Sequence, residues 1–117
     1  MTEQETGTVV FLSGDLMFAS RVRGAAEHAG LTFYLGAKLP EENGEPIRYV
    51  VLDLSTRSSL TESLMPECEQ RCPDATLIAY GPHVQVSKLA AAREAGIPVV
   101  MTRGQFDSRL STLFVDG

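Results

Sequence analysis

One carboxylate, Asp53, follows the apolar run Tyr49-Val50-Val51-Leu52, which is the clearest strand of the sequence. An ionised carboxylate in such a place is costly unless another group compensates its charge. Arg103 follows a second β-branched run, and its guanidinium can bind a carboxylate or an anionic ligand through two N–H groups. The sequence therefore predicts that Asp53 lies within hydrogen-bonding reach of Arg103 or of a backbone N–H.

Other candidate site residues also follow apolar runs. The Ser13-Gly14-Asp15 turn is a candidate anion site through its backbone N–H groups, although Asp15 is more simply the cap of the next helix. His83 is a candidate base or phosphate ligand, with an ordinary surface histidine as the simpler interpretation. Three further candidates at strand ends are Tyr80, Gly81 and Thr102. No nucleophile–base pair or complete metal site can be assembled from these residues, so enzyme is the least favoured class.

Cys68 and Cys72 are four residues apart and therefore share one helix face. A redox pair or a shared metal is conceivable, but no further Cys or His stands at metal-ligand spacing. The pattern favours packing of both thiols in the core. His28, near the end of the first helix, is interpreted as a helix-end residue.

Short β-branched runs alternate with stretches of helical periodicity. Strands are predicted at 8–12, 31–35, 48–54, 76–80 and 98–101, with helices between them. This alternation is typical of a parallel sheet with right-handed crossovers, which gives a three-layer α/β sandwich. Ligands of such sheets bind at the carboxyl ends of the strands, where the candidate residues lie.

Several helix ends are predicted from capping residues. Asp15 caps the first helix, Gly30 ends it, and Asp107 caps the last helix. Ser59 and Glu62 form a capping box that opens a helix reaching about Arg71, with a kink or restart at Pro66. Val86, Leu89 and Ala90 are predicted to face inward on the following helix. The breakers in Pro40–Pro46 allow one helical turn at most.

Composition and charge narrow the classes of function. The 117 residues carry 15 acidic and 10 basic side chains, for a net charge of −5, so no basic face for nucleic acid is visible. No apolar run approaches the roughly 20 residues of a membrane-spanning helix. The first residues, 1–7, are polar and acidic, unlike a secretory leader. We expect one cytoplasmic domain, residues 1–117 with a core at about 8–114, and neither nucleic acid nor membrane as a partner.

The order of elements, the Val-Val-Leu-Asp-Leu motif that contains Asp53, and a basic residue after the fifth strand resemble the receiver domain of bacterial two-component response regulators. The resemblance implies a flavodoxin-like fold with strand order 2-1-3-4-5. It also implies that Asp53 stands at the phosphoacceptor position. Receivers hold Mg²⁺ with two acidic residues after the first strand. They end the fourth strand with Ser or Thr and the fifth with Lys, usually followed by Pro.

The chain departs from this pattern at most of the other positions. Ser13 and Gly14 stand at the acidic pair, and Gly81, or Tyr80 with a slip of one residue, stands at the Ser/Thr position. Arg103-Gly104 replaces Lys-Pro, so the intervening peptide is predicted to be trans. Without the acidic pair, Mg²⁺ binding and a phosphorylation switch are not expected.

The resemblance and its departures together favour a degenerate, stand-alone receiver that acts by binding another protein, without an output domain and without a cofactor. Homodimerisation through the fourth helix, fifth strand and fifth helix is the contact that the resemblance implies. Two alternatives remain: a module that binds a small anionic ligand through Arg103 and the Ser13-Gly14 turn, and a working atypical receiver phosphorylated on Asp53.

Overall fold

The strands form where β-branched and aromatic residues follow one another without a breaker, and four of the five α-helices within residues 7–115 begin within five residues of the end of a strand. The computed structural model describes residues 7–115. Its elements are β1 (Thr8–Leu12), α1 (Leu16–His28), β2 (Thr32–Gly36), β3 (Ile47–Asp53), α2 (Leu54–Arg57), a 3₁₀ turn (Ser58–Leu60), α3 (Thr61–Arg71), β4 (Thr76–Gly81), α4 (Val86–Glu94), β5 (Val99–Thr102) and α5 (Arg103–Leu113).

The five strands make one parallel sheet in the order β2-β1-β3-β4-β5. The strand order reverses at β1, which pairs with both β2 and β3. In the β3–β4 register Asp53 lies opposite Tyr80. The predicted flavodoxin-like architecture is confirmed.

Two apolar cores cover the two faces of the sheet. The first packs α1 and α5 against the sheet and is rich in aromatic rings, whereas the second packs α3 and α4 and is mainly aliphatic. The largest members of the first core are Phe11, Phe18, Tyr80 and Phe106. The second includes Leu12, Leu52, Leu54, Leu64 and Leu89, together with Cys68 and Cys72.

The first helix begins and ends as predicted. The Asp15 carboxylate accepts a hydrogen bond from the Phe18 N–H at 3.0 Å, which caps α1. After α1 the backbone turns through Gly30 at φ +81°, a conformation that favours glycine. No regular helix occurs between residues 37 and 46, as the prolines and Gly44 predicted.

The predicted start of the third helix is wrong. Ser59 lies in the 3₁₀ turn, and α3 begins at Thr61 after Leu60 without a side-chain cap. The chain is already helical when it reaches Ser59, because Asp53 caps the short α2 that precedes the turn. Pro66 lies inside α3 without restarting it; Pro66 is exposed, so water can reach the carbonyl that loses its partner.

Two expectations for the last two helices are also wrong. Asp107 lies within α5, which Thr102 caps in a capping box with Gln105. Asp107 instead pairs with Arg21 of α1. Val86 does not face inward: it is 67% exposed at the start of α4, and Leu89 and Ala92 make the buried contacts of that helix.

Cys68 and Cys72 are free thiols buried in the second core, as predicted. Burial raises the pKa of Cys68 to about 12, and it also raises the pKa of Cys72. Both groups are therefore protonated at neutral pH and behave as small apolar side chains. Within residues 7–115, no helix is long and apolar enough to cross a bilayer.

Candidate functional site

The carboxyl ends of β1, β3, β4 and β5 meet at one edge of the sheet, because all the strands are parallel. This arrangement brings five of the predicted site residues together: Ser13, Asp15, Asp53, Tyr80 and Arg103. Asp53 lies at the centre, since β3 runs between β1 and β4.

Asp53 is closed off by neutral hydrogen-bond donors. Its Oδ2 accepts hydrogen bonds from the Ser13 hydroxyl at 2.7 Å and from the Thr56 hydroxyl at 2.9 Å. Its Oδ1 accepts a third from the Ser55 backbone N–H at 2.9 Å. The residue is only 2% exposed. The charge is thus compensated locally, and the predicted contact with a backbone N–H is present.

Thr56 connects Asp53 to the first turn of the site, and the sequence reasoning missed it. The Thr56 oxygen accepts a hydrogen bond from the Gly14 N–H at 2.9 Å while its own proton goes to Asp53. Ser13 makes a similar link, because its oxygen accepts the Asp15 N–H at 2.9 Å. The available signal was the Asp-Leu-Ser-Thr spacing, in which the second and third residues after an aspartate close a turn onto it.

Arg57 is a second functional candidate that the sequence reasoning missed. A Cβ built on Gly14 would lie 3.6 Å from Arg57 Nη2, so this guanidinium covers the place where receivers carry an acidic residue. Arg57 donates one long hydrogen bond of 3.5 Å to the Thr56 carbonyl. No sequence motif distinguishes Arg57 from a solvent-exposed arginine, because its position depends on how α2 turns back over Gly14.

Arg103 does not pair with Asp53, so of the two predicted contacts only the one with a backbone N–H is present. Its Nη1 lies 3.4 Å from Asp15 Oδ2, and its guanidinium carbon lies 4.2 Å from the centre of the Phe18 ring. Both oxygens of Asp53 are already occupied by shorter hydrogen bonds below the surface, whereas the Arg103 side chain is 45% exposed. The guanidinium therefore binds the more accessible carboxylate and an aromatic face.

Tyr80 extends from the aromatic core toward the site. Its ring stacks on Phe106 of α5, with the ring centres 4.4 Å apart and the planes nearly parallel at 1°. Its hydroxyl is buried next to the Ser13 hydroxyl, but it makes no hydrogen bond of good geometry within residues 7–115. Burial raises the pKa of Tyr80 and the charge of Asp53 raises it further, whereas Arg103 and the nearby Ser13 hydroxyl lower it.

The remaining candidates do not join this cluster. Gly81 has little room for a side chain, because a Cβ there would lie 3.3 Å from the Cβ of buried Leu54. Thr102 is occupied as the cap of α5, and His83 is exposed in the loop after β4. The Arg103–Gly104 peptide is trans, as predicted.

The donor set fits a magnesium ion poorly. Mg²⁺ needs near-octahedral oxygen ligands, of which carboxylates supply one or two. Here both Asp53 oxygens accept hydrogen bonds, Ser13 and Gly14 offer no carboxylate, and Asp15 is engaged with Phe18 N–H and Arg103. Among the described residues, no group of three or more His, Cys, Asp or Glu side chains is arranged to hold a metal.

No family model matches the sequence, and no curated protein sequence matches it. Solved structures do match the fold. A response regulator from Thermotoga maritima superposes with a TM-score of 0.65 at 14% identity, over 96% of this chain and 100% of that one. A CheY-like response regulator receiver domain from Methanospirillum hungatei gives 0.65 at 12% identity, over 91% and 94%.

A third match is a response regulator from Burkholderia pseudomallei with a phosphorylated aspartic acid, a calcium ion and citrate. It superposes with a TM-score of 0.68 at 15% identity, over 92% of this chain and 66% of that one. Likenesses at this level of identity establish the fold, which is that of response regulator receiver domains.

Proposed function

We propose that this receiver fold is a signalling module that binds another protein and is not switched by Mg²⁺-dependent phosphorylation of Asp53. The observation that carries the proposal is the closure of Asp53. Its carboxylate accepts three hydrogen bonds from Ser13, Thr56 and Ser55 and is 2% exposed. Attack on a phosphoryl donor requires an accessible carboxylate oxygen, so the single bond to Oδ1 or both bonds to Oδ2 would have to open first.

The charge balance of the site supports the same conclusion. Phosphoryl transfer depends on positioning and on neutralising the negative charge that develops on the transferred group, and a metal supplies much of both. Arg57 and Arg103 bring positive charge to the turn after β1. A guanidinium neutralises charge, but it does not coordinate donor and acceptor oxygens together as a metal does.

Phosphorylation of Asp53 would also lack the β4 hydroxyl that, by the resemblance to receivers, couples the phosphoryl group to a change of conformation. Gly81 offers no hydroxyl to the site, and Leu54 occupies the space that a side chain there would need. Tyr80 is the nearest hydroxyl on β4, but its ring is fixed between Phe11 and Phe106. A movement of Tyr80 would therefore act on α5 rather than on α4.

We place the protein contact on the surface formed by α4, β5 and α5. β5 is an edge strand, so its outer backbone groups have no neighbouring strand. Val86, at the start of α4, is exposed, and Val99 and Val100 of β5 are half-buried. A second copy of this chain is one candidate partner. The proposed module has no catalytic role and no resident metal.

The test is incubation of the protein with acetyl phosphate and Mg²⁺, followed by intact-mass measurement and amide NMR. We expect no phosphoryl adduct and no Mg²⁺-dependent shifts around Asp53, because its oxygens are occupied. Asp53→Asn is the matched control, since it keeps the size of the side chain and removes the acceptor. A phosphoryl adduct that forms on the native chain and is lost in Asp53→Asn would identify a working receiver and overturn the proposal.

A further inference from the structure

The mouth of the site has more hydrogen-bond donors than acceptors. The donors at the mouth belong to Arg57 and to Arg103, which makes one 3.4 Å contact with Asp15, and the Tyr80 hydroxyl is a further donor buried below the surface. The Asp53 oxygens are already taken. A guanidinium has five N–H donors and no acceptor. A ligand that carries acceptors alone would balance this set. We infer that the turn Ser13-Gly14-Asp15 is a noncovalent binding site for a small oxyanion, a deepening that rests on the proposed function because it requires an unmodified Asp53.

Arg57 is the first support for this inference. It is half-buried, forms no salt bridge within residues 7–115, and its Nε is buried without a hydrogen-bond partner. A buried charged donor without an acceptor costs more than a neutral one. The adjoining Gly14 is exposed and has no side chain, which leaves room for a ligand next to the guanidinium.

Arg103 provides a second guanidinium one residue further along the same turn. Its ring contact with Phe18 fixes the orientation of the guanidinium, while its pairing with Asp15 rests on a single contact of 3.4 Å. Arg57 lies beside Gly14 and Arg103 pairs with Asp15, so the two guanidiniums adjoin consecutive residues of the turn. An incoming oxyanion can replace Asp15 on Arg103, since Asp15 keeps its second role as the cap of α1.

Tyr80 is an independent observation that points to an oxygen ligand. The residue is 1% exposed, and its hydroxyl has no partner within the described residues. The Ser13 hydroxyl acts on it together with the charges of Asp53, Arg103 and Asp15, so it lies next to the first residue of the turn without making a hydrogen bond of good geometry. Most buried polar side-chain atoms have a hydrogen-bond partner, and a ligand oxygen that reached this hydroxyl would supply one.

The ligand class follows from the donors. Two planar guanidiniums and a phenol match the oxygens of a phosphate or a carboxylate, which guanidinium binds through paired N–H groups. The net charge of −5 opposes anions at long range, so binding must come from these local contacts. A phosphate group and a carboxylate group share this chemistry, and separate titrations distinguish them.

The experiment uses the full chain labelled with ¹⁵N and titrated with inorganic phosphate, and separately with acetate, at a constant ionic strength set by chloride. We expect saturable shifts of the Gly14 and Asp15 amides and of the Nε–H signals of Arg57 and Arg103, with a dissociation constant on the order of 1 mM. Arg57→Met keeps most of the side-chain length and should weaken binding at least tenfold. Thermal unfolding verifies that this variant is folded.

Arg93→Met is the matched control, because Arg93 is an exposed arginine on α4 away from the turn. It should leave the affinity unchanged. Shifts that follow chloride equally well, or an affinity that Arg57→Met does not change, would overturn the inference. Saturation by phosphate alone identifies a phosphate site, and saturation by acetate alone identifies a carboxylate site.

The result of this titration can be distinguished from the result of the phosphorylation test of the proposed function. Noncovalent binding leaves the intact mass unchanged and persists in Asp53→Asn, whereas phosphorylation adds mass and requires Asp53. Absence of phosphate and acetate binding would refute this inference and leave the proposed function in place. A covalent adduct on Asp53 would refute the proposed function instead.

Discussion

Asp53 obtains its compensation from two hydroxyls and one backbone N–H, and it forms no ion pair with a cationic side chain among residues 7–115. Neutral donors hold a buried carboxylate without requiring a long basic side chain to be desolvated next to it. That the charge of Asp53 must be compensated could be predicted, because its carboxylate follows a buried apolar run. The two hydroxyls that compensate it could not be predicted. Ser13 lies 40 residues away along the chain, and Thr56 reaches Asp53 only through the turn at α2.

The unpartnered hydroxyl of Tyr80 leads to a prediction about stability. Tyr80→Phe keeps the stack on Phe106 and removes a buried group without a partner, so we expect the free energy of unfolding to rise by about 1 kcal/mol. Chemical denaturation measures this change. Tyr49→Phe, at a half-buried ring, is the control and should change stability by less than about 0.5 kcal/mol. A loss of stability in Tyr80→Phe would mean that the hydroxyl is bonded.

Tyr80→Phe should also change how the stability of the chain depends on pH in the alkaline range. Because the pKa of Tyr80 is raised in the folded chain, the folded state keeps its proton at pH values where the unfolded state, with a pKa of about 10, has lost it. Stability must then fall as the pH rises above about 10. Tyr80→Phe removes this contribution, so its stability should fall less steeply than that of the native chain over that range.

At the scale of elements, the beginning of α5 depends on Thr102. Its hydroxyl accepts the Gln105 N–H at 3.1 Å, and the Gln105 side chain accepts the Thr102 N–H at 2.9 Å. The cap of this helix was predicted at Asp107, and the Thr-x-x-Gln pattern of residues 102–105, which was present in the sequence, was missed.

This cap provides a second prediction. Thr102→Ala should lower the free energy of unfolding by about 1 kcal/mol, since it leaves a helix N–H without its acceptor. Asp107→Ala is the comparison, and it should cost less than about 0.5 kcal/mol because the pair with Arg21 is largely exposed. Denaturant melts of both variants measure the difference. If Asp107→Ala lowered the free energy of unfolding more than Thr102→Ala, Asp107 rather than Thr102 would be the residue that stabilises α5.

At the scale of the whole molecule, periodicity was sufficient to predict the sheet. β1, β3 and β4 are covered on both faces, so they appear in the sequence as continuous apolar runs separated by helical stretches. The site was predicted less completely. Its strand-end positions follow from the fold, but the partners of Asp53 and Arg103 depend on the short α2 and the turn after β1, whose side chains meet only in three dimensions.

The last prediction concerns the response of the whole chain to Mg²⁺. The native chain should unfold at the same temperature with and without 10 mM Mg²⁺, because a ligand that binds weakly adds almost no stability. Replacing Ser13 and Gly14 together by Asp introduces carboxylates at the two positions that the resemblance to receivers assigns to an acidic pair. Without metal, this variant should lose roughly 3 kcal/mol, because Asp53 exchanges a hydroxyl donor for a buried like charge.

Mg²⁺ should then return stability to the double variant and leave the native chain unchanged. For a dissociation constant near 0.1 mM, 10 mM Mg²⁺ adds about 2.7 kcal/mol. Ser13→Ala is the control: it removes the same hydroxyl without adding charge, so it should be destabilised and should not respond to the metal. Differential scanning calorimetry with Mg²⁺ or with chelator measures all three chains. A native chain whose melting temperature rises with Mg²⁺ would contradict the proposal that this site holds no resident metal.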